Sequence, residues 1–382
     1  MARVAQEAGA EAVRPAPAAV LAAVERWLER QAGAVFILPA VLLVFFLSLF
    51  PLLLSAYLSL TRLQFVPGGF ELRWVGLAHY HKLLLGSERS HFLGTFGPLG
   101  PFTGFAFAVA ASVLLVFLIR AGGSGVRSVA GRALVALVTG AGLWLGVRTL
   151  GPGGRPGTLL TTLLYVGVGV TVQYWLGLLL AYLCSQEIAG RRLFRVVFLL
   201  PMMITPVGIA YTFRILMDLG KGPFAPVWRA LGLAEVSWAN SPWGARLVVM
   251  IGDIWQWTPF MFVVLLAALE SLPSELIEAA MVDGASRWQI FWKVSWPQLL
   301  PVSSTVILIR MIEAFKIVDL PNVLTNGGPG TATESLTLHA YMAWRTLDIG
   351  GSAAVAYTLL FVVTFAAMSY ITLVHRRLAE VG

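Results

Sequence analysis

Long apolar runs separated by short polar or basic stretches dominate the chain. No charged residue occurs from Gln31 to Thr61. That run exceeds the roughly 20 residues an α-helix needs to cross a bilayer, and it is too long for the apolar core of a cleaved signal peptide. It predicts a first span over about 34–60, bent at Pro39 and Pro51. Phe105–Ile119 and Ala133–Leu150 are two further runs, joined by a Gly-rich basic turn from Arg120 to Arg132. They predict a helical hairpin. Five more spans follow over 158–185, 196–217, 246–269, 299–321 and 351–374. Eight spans put both termini on one side. The arginines at 120–132, 191–195 and 376–377 place that side in the cytoplasm, because positive charges close to helix ends set orientation. Residues 62–95 read as an extracytoplasmic connection with a short helix. Trp228, Trp238 and Trp243 between 218 and 245 suit an interfacial aromatic belt.

The stretch 270–301 breaks this pattern. It is amphipathic rather than apolar and predicts two short helices with a bend. Ser274 is placed to N-cap the first, with Glu275 and Glu278 in its first turn. Asp283-Gly284 ends it, since glycine enters the left-handed region without a Cβ penalty. Ser286-x-x-Gln289 is a capping box that starts the second helix, and Pro297 and Pro301 mark entry into the next span. Trp288, Phe291, Trp292 and Ser295 share a face of the second helix. Such a pair lies along the membrane surface, either held to lipid or offering its watery side to another protein. Ala279, Ala280, Gly284 and Ala285 would let a partner backbone approach closely.

Charge enters the spans at two places. Arg310, Glu313, Lys316 and Asp319 recur every three residues with alternating sign, which predicts one drifting stripe. A lone charge in hydrocarbon costs at least about 2.5 kcal/mol, so the stripe must face protein or water, as a self-neutralised ladder or as the lining of a polar pathway. The preceding span carries Asp253, Trp255, Gln256, Trp257 and Phe260, a mix of aromatic faces and an amide that suits a sugar or simple packing.

Composition agrees with the pattern. Of 382 residues, 58% are hydrophobic and 12% charged, against about 25% charged in soluble domains. The net charge of +8 belongs with membrane orientation rather than nucleic acid binding, since no charged soluble domain is present. Cys184 is the single cysteine, so no intrachain disulfide forms. The five histidines are dispersed; His79-x-His81 is their one close pair and reads as loop surface, and no metal-ligand motif is present. No P-loop occurs.

Glu278-Ala279-Ala280-x-x-Asp283-Gly284-Ala285, then Phe291 and Pro297-x-x-x-Pro301, resembles the EAA loop of ABC-importer permeases. Trp255–Phe260, Phe315–Asp319 and Leu324–Pro329 resemble segments of the carbohydrate-uptake permeases in that family, which serve maltose, trehalose and glycerol phosphate. The likeness is strong over about 158–375, weak over the first span, and missing over 96–157. It implies an all-α polytopic fold: a six-helix permease core over 158–375 with the first span and outer loop over 34–95, an inserted hairpin over 96–157, and cytoplasmic segments over 1–33 and 376–382. It implies that Glu278, Ala279, Ala280, Asp283, Gly284, Ala285, Phe291 and Pro297 dock on a separate ATPase subunit. It implies sugar contacts at Gln256, Trp257, Phe260, Arg310 and Glu313, with Trp255, Lys316 and Asp319 in the pathway or a structural ladder. The implied partners are ABC ATPase subunits, a second homologous permease, an extracytoplasmic solute-binding protein, the sugar and membrane lipid, with no nucleic acid. The implied location is the bacterial plasma (inner) membrane. The chain would hold no cofactor, ATP-Mg belonging to its partner, and would catalyse no covalent step. The competing reading from the residues alone is an ion- or proton-coupled transporter that relays protons along 310–319. It would show inverted repeats of broken helices, and none is visible.

Overall fold

A computed structural model describes residues 36–98, 100–120, 126–186, 190–232, 238 and 240–379. The readings made for residues 1–33 and for the Gly-rich turn after Arg120 lie outside these residues. The chain forms two compact units, one ending at Tyr57 and the other beginning at Leu58.

The first unit is described through α1 (Phe36–Ser59), an apolar helix that runs two residues past the unit's end. It contains a π-turn over Phe45–Leu49 in which the Phe50 N–H reaches Phe45 O. Pro51 explains the turn. It has no N–H for the carbonyl four residues back, and the residue before it slips by one acceptor.

In the second unit an antiparallel ladder, β1 (Thr61–Val66) with β2 (Gly69–Trp74), stands where sequence reading placed only a connection. Pro67-Gly68 is the reason. Pro at the second turn position and Gly68 at φ 97° at the third give the type II turn geometry. Two short helices follow, α2 (Ala78–Leu84) and α3 (Arg89–Phe92). His79, expected at a loop surface, is buried, with its Nε2 3.0 Å from Thr61 O. The predicted hairpin is present as α4 (Pro101–Arg120) and α5 (Val126–Leu150). It leaves and re-enters the core through a two-residue ladder, β3 (Gly94–Thr95) against β4 (Arg155–Pro156). Gly94 has φ +101°, and a Cβ there would lie 2.2 Å from Arg155 O.

The core is built on α6 (Thr158–Ser185) and α10 (Pro242–Glu270), two apolar helices that pack along their length. Between them the expected span over 196–217 is two helices, α7 (Arg191–Met203) and α8 (Pro206–Leu216), bent by 98°. Thr205 precedes a proline and is extended, and its hydroxyl accepts the Gly208 N–H as N-cap. The short α9 (Ala225–Ala230) follows. The indoles of Trp228 and Trp238 donate to Leu216 O and Met217 O, the orphan carbonyls ending α8. After α10 come α11 (Ser274–Val282), α12 (Arg287–Ile290) and, through a π-turn over Phe291–Ser295, α13 (Trp296–Ala314). The Trp296 N–H reaches Phe291 O directly before Pro297, the device seen at Pro51. The expected span over 299–321 therefore starts earlier and stops at Ala314. A break over 315–318 leads to α14 (Asp319–Thr325), then α15 (Leu336–Arg345) and α16 (Ile349–Ala379).

Among the described residues four helices are long and apolar enough to cross a membrane, or five with the bent α7–α8 pair taken as one span. The expectation of about eight rests on apolar length and on the six-helix core that the resemblance implies. The break at 315–318 and the bend at Thr205 depart from that straight-span count, while the expected all-α class holds, with two small ladders beside the helices.

Gly177 on α6 marks where α10 comes closest, since a Cβ there would lie 2.5 Å from Met261 Cβ and 2.9 Å from Phe262 N. A Cβ at Gly167 on the same helix meets nothing within 4 Å. Gly177→Val should lower stability in detergent by about 1–3 kcal/mol through overpacking, while Gly167→Ala should be silent or slightly stabilising. Equal thermal midpoints for the two variants would contradict this crossing.

Candidate functional site

Two arrangements bear on function, one at the surface and one buried. At the surface, α11 contains no buried residue. Ser274 is its first helical residue, not its cap. Pro273 holds the cap position and no side chain bonds there. The C-terminus closes as the sequence predicted. Gly284 takes φ +78°, its N–H bonds Met281 O at 3.0 Å, and the Ala285 N–H bonds Ala280 O at 3.0 Å. This is the Schellman pattern. The capping box at Ser286 and Gln289 is also formed, with bonds of 2.8 and 3.3 Å.

The second half of the bend is anchored. Ile290, Phe291 and Ser295 are buried. Phe291 meets the Tyr182 ring edge-on at 4.9 Å, and Trp296 stacks on Trp175 at 5.6 Å. Trp288 and Trp292, expected on the same face, remain exposed and pile edge to face at 5.4 Å. At the same end Arg195 donates to Cys184 O and to Glu270, tying the ends of α6 and α10 to the start of α7. Glu278, Ala279, Asp283 and Gly284 are exposed, while Ala280 and Ala285 are half-buried. α11 thus stands free of the core on an anchored base, with a small-residue corner at Gly284.

In the interior, Arg310 is 2% exposed. Its Nη2 donates to Asp253 Oδ2 at 2.6 Å and its Nε to Gln173 Oε1 at 2.9 Å. Gln173 Nε2 returns a bond to Asp253 Oδ2 at 2.8 Å, and the Trp257 ring covers the guanidinium at 4.9 Å. One charged pair and one amide therefore join α13, α10 and α6. The sequence placed Arg310 in a stripe with Glu313, Lys316 and Asp319, and the structure separates them. Glu313 and Lys316 pair with each other at the surface at 2.7 Å, with Lys316 already beyond the helix end. Asp319 opens α14, where a negative charge is favoured. The break has a specific cause. Thr337 Oγ1 donates to Phe315 O at 3.1 Å and Ser335 Oγ to Ile317 O at 2.5 Å, so backbone acceptors that continued helix would use are met from α15. No continuous relay runs along 310–319.

The five predicted contact residues do not share one open surface. Gln256 is buried, and its Oε1 has no partner among the described residues. Arg310 is internal. Trp257 and Phe260 are half-buried and Glu313 is exposed. Phe260 lines an apolar cavity of about 380 Å³ with Val264, Pro301, Val302, Thr305 and Ile309. Trp255 is exposed and meets Phe213 edge-on at 5.7 Å. Gln173 was missed by sequence reading. The available signal was a lone amide in the middle of a 28-residue helix without a charged side chain.

Residues 138–380 match the family model described as binding-protein-dependent transport system inner membrane component. The chain belongs to that family. The match begins inside α5, earlier than residue 158, where the resemblance in sequence begins, so part of the supposed insert falls within it. The chain is 35% identical over 199 residues to the trehalose/maltose transport system permease protein MalF of Thermococcus litoralis, covering 52% of this chain and 68% of that one. It is 30% identical over 219 residues to the trehalose transport system permease protein SugA of Mycobacterium tuberculosis, covering 56% and 68%. It is 30% identical over 222 residues to the sulfoquinovosyl glycerol transport system permease protein SmoG of Agrobacterium fabrum, covering 58% and 70%. A bacterial ABC transporter involved in import of the acidic polysaccharide alginate has the same fold at a TM-score of 0.65, with 16% identity over 92% of this chain and 98% of that one. Family membership selects the permease over the self-sufficient ion-coupled transporter.

Breaking the internal pair should be costly. Arg310→Met leaves Asp253 buried with only Gln173 and should lower stability by about 3–5 kcal/mol, whereas Arg310→Met with Asp253→Leu should recover part of that loss. Thermal unfolding of the two singles and the double in one detergent checks the coupling; strictly additive losses would mean the pair is not formed.

Proposed function

We propose that this chain is the permease subunit of an ATP-driven importer for a sugar or sugar-like solute, of disaccharide or oligosaccharide size. The family is that of binding-protein-dependent inner membrane components. Three similar relatives are named for transport of trehalose, maltose or sulfoquinovosyl glycerol, and these names support the sugar. The observation that carries the reading is α11, an amphipathic helix with no buried residue, closed by an exposed glycine corner on an aromatic base. Such a helix needs a partner to cover it. The chain has no P-loop, so ATP and Mg²⁺ would sit in separate ATPase subunits docked on 274–296. It would itself hold no cofactor and catalyse no covalent step.

A second homologous permease completes the pathway in this reading, and an extracytoplasmic binding protein delivers the solute. Both termini lie in the cytoplasm of a bacterial cell. ATPase closure pushes the α11–α12 lever, and the helices bearing Trp257, Phe260 and Glu313 rock between inward- and outward-facing states. Coupling is reciprocal, so loaded binding protein favours the ATP-bound closed state. Arg310 acts from inside, by fixing α13 to α10 behind the contact residues.

Gly284 separates docking from folding. A Cβ there meets nothing within 4 Å, so bulk points outward and the only internal cost is the positive φ. Gly284→Ala should cost about 1–2 kcal/mol in stability and keep ATPase association. Gly284→Trp should insert as well as Gly284→Ala yet fail to co-purify with its ATPase. Full assembly and transport by Gly284→Trp would defeat the docking assignment.

The contact assignment is checked separately by Trp257→Ala and Glu313→Ala. Each should reduce solute uptake and solute-stimulated ATP hydrolysis by about tenfold, equivalent to about 1.4 kcal/mol, with assembly intact. Unchanged uptake in both would remove these residues from the pathway.

A further inference from the structure

The end of α6 opposite the bent segment carries a second ionisable group that the transport reading leaves unused. His91 of α3, Glu334 in the loop before α15, and His339 of α15 each bring one ligating atom within 4.8 Å of the others. His91 Nε2 lies 2.8 Å from Glu334 Oε2, and the two imidazoles stack at 4.3 Å. The Glu334 side chain is 7% exposed, and its other oxygen, Oε1, is buried with no hydrogen-bond partner among the described residues. An unpaired buried acceptor is expensive, more so on a charged group. A carboxylate held this way calls for a cation beyond the single contact His91 makes.

The surroundings favour a dication. Glu88 Oε2 lies 4.0 Å from His339 Nε2. Lys82, the one ammonium facing the group among the described residues, is shared between Glu88 at 2.6 Å and Asp348 at 3.5 Å. Three carboxylates therefore stand against one lysine. Arg89, on the same helix as His91, is directed to the Phe96 ring at 5.0 Å. His339 is buried beside this group. The Thr158 hydroxyl, 3.4 Å from His339 Nδ1, can accept an Nδ1–H and fix the ring, as groups behind metal ligands do.

We propose that His91, Glu334 and His339 form a binding site for a divalent transition metal, Zn(II) by ligand type, with Glu88 or solvent in the fourth position. Two imidazoles and a carboxylate suit Zn(II), whereas Ca²⁺ and Mg²⁺ require mostly oxygen ligands. Tetrahedral ligation needs donor atoms about 3.3 Å apart. His91 has room to turn off the stack towards that geometry, being 29% exposed. The bound ion clips the 88–95 segment, from which the α4–α5 hairpin departs, onto α15. Metal binding here is conformational coupling, because the ligands come from parts of the chain 243 residues apart.

The test uses the full-length chain without a polyhistidine tag, purified in detergent and stripped with chelator. ZnCl₂ or MgCl₂ is added, excess is removed, and retained metal and the thermal midpoint are measured. Wild type should keep about one Zn per chain, with a raised midpoint, and show no response to Mg²⁺. His91→Gln, at a partly exposed position, and His339→Gln should each bind Zn at least about tenfold more weakly. No retention by wild type overturns the proposal, as does equal retention by the His variants. A midpoint that depends on pH and on His91 with no Zn uptake would show an ion pair only, and would overturn it too.

Discussion

The buried contact of Arg310 with Asp253 and Gln173 governs how the core can be built. A guanidinium and a carboxylate in the membrane interior are tolerable only if each faces the other and the remaining donors and acceptors are met. That requirement fixes the rotation of α13 about its axis, sets α10 beside it, and needs an amide from α6 at the level of Gln173. Small residues make the approach possible. Gly169 and Gly177 lie along the same contact, where a Cβ would stand 3.5 Å from Asp253 Oδ2 and 2.5 Å from Met261 Cβ respectively. Close approach and charge pairing therefore depend on each other. The Tyr174 hydroxyl, bonded to Ser303 Oγ at 2.9 Å, makes a second α6–α13 link about two turns before Arg310 on α13.

From this rigid centre the two ends of the helices diverge in character. One end carries the α11–α12 bend, whose first helix buries nothing and whose second is held by aromatic contacts and by Arg195 bridging α6 and α10. The other end is dense with side-chain bonds to backbone. Arg246 donates to Ala332 O at 2.7 Å, Tyr165 to Thr333 O at 3.0 Å, and Thr162 accepts the Leu336 N–H at 2.8 Å. An exposed bend thus lies on one side of the buried cluster and a closely bonded cap on the other. The π-turns before Pro51 and Pro297 are a further local device. Each keeps a helix continuous through a proline instead of placing a joint there.

What could be read from the sequence was what local chemistry decides. Gly284 and the Ser286-x-x-Gln289 box closed and opened helices where their backbone preferences dictated, and 158–185 was apolar enough to define its own ends. The failure along 310–319 has a different cause, in that distant groups overrode the local pattern. The three-residue spacing from Arg310 to Asp319 implies a stripe only if the helix continues. Hydroxyls at Ser335 and Thr337, about twenty residues onward, meet the carbonyls at the break. Arg310 found its counter-charge 57 residues back rather than three residues on. Thr205-Pro206 and Pro67-Gly68 were local signals of a bend and a turn. They were outweighed by the apolar length around them in one case and by the expectation of a plain connection in the other.

The α4–α5 hairpin joins the core through a narrow neck. Its two stems meet at Gly94 and Pro156, so the chain leaves the core and returns within one pair of residues. The junction is closed by backbone: a Cβ at Gly94 would lie 2.2 Å from Arg155 O, and one at Gly157 would lie 2.5 Å from Gly94 N. Nothing bulky fits there, and nothing else needs to. Beyond it, Phe96 packs edge-on to Trp144 at 5.0 Å, and Arg148 lies over both rings. These contacts close the base of the hairpin without calling on α6, α10 or α13. The residues that would feel a change in the hairpin are instead those just before the junction, at 88–95, which lie against α15.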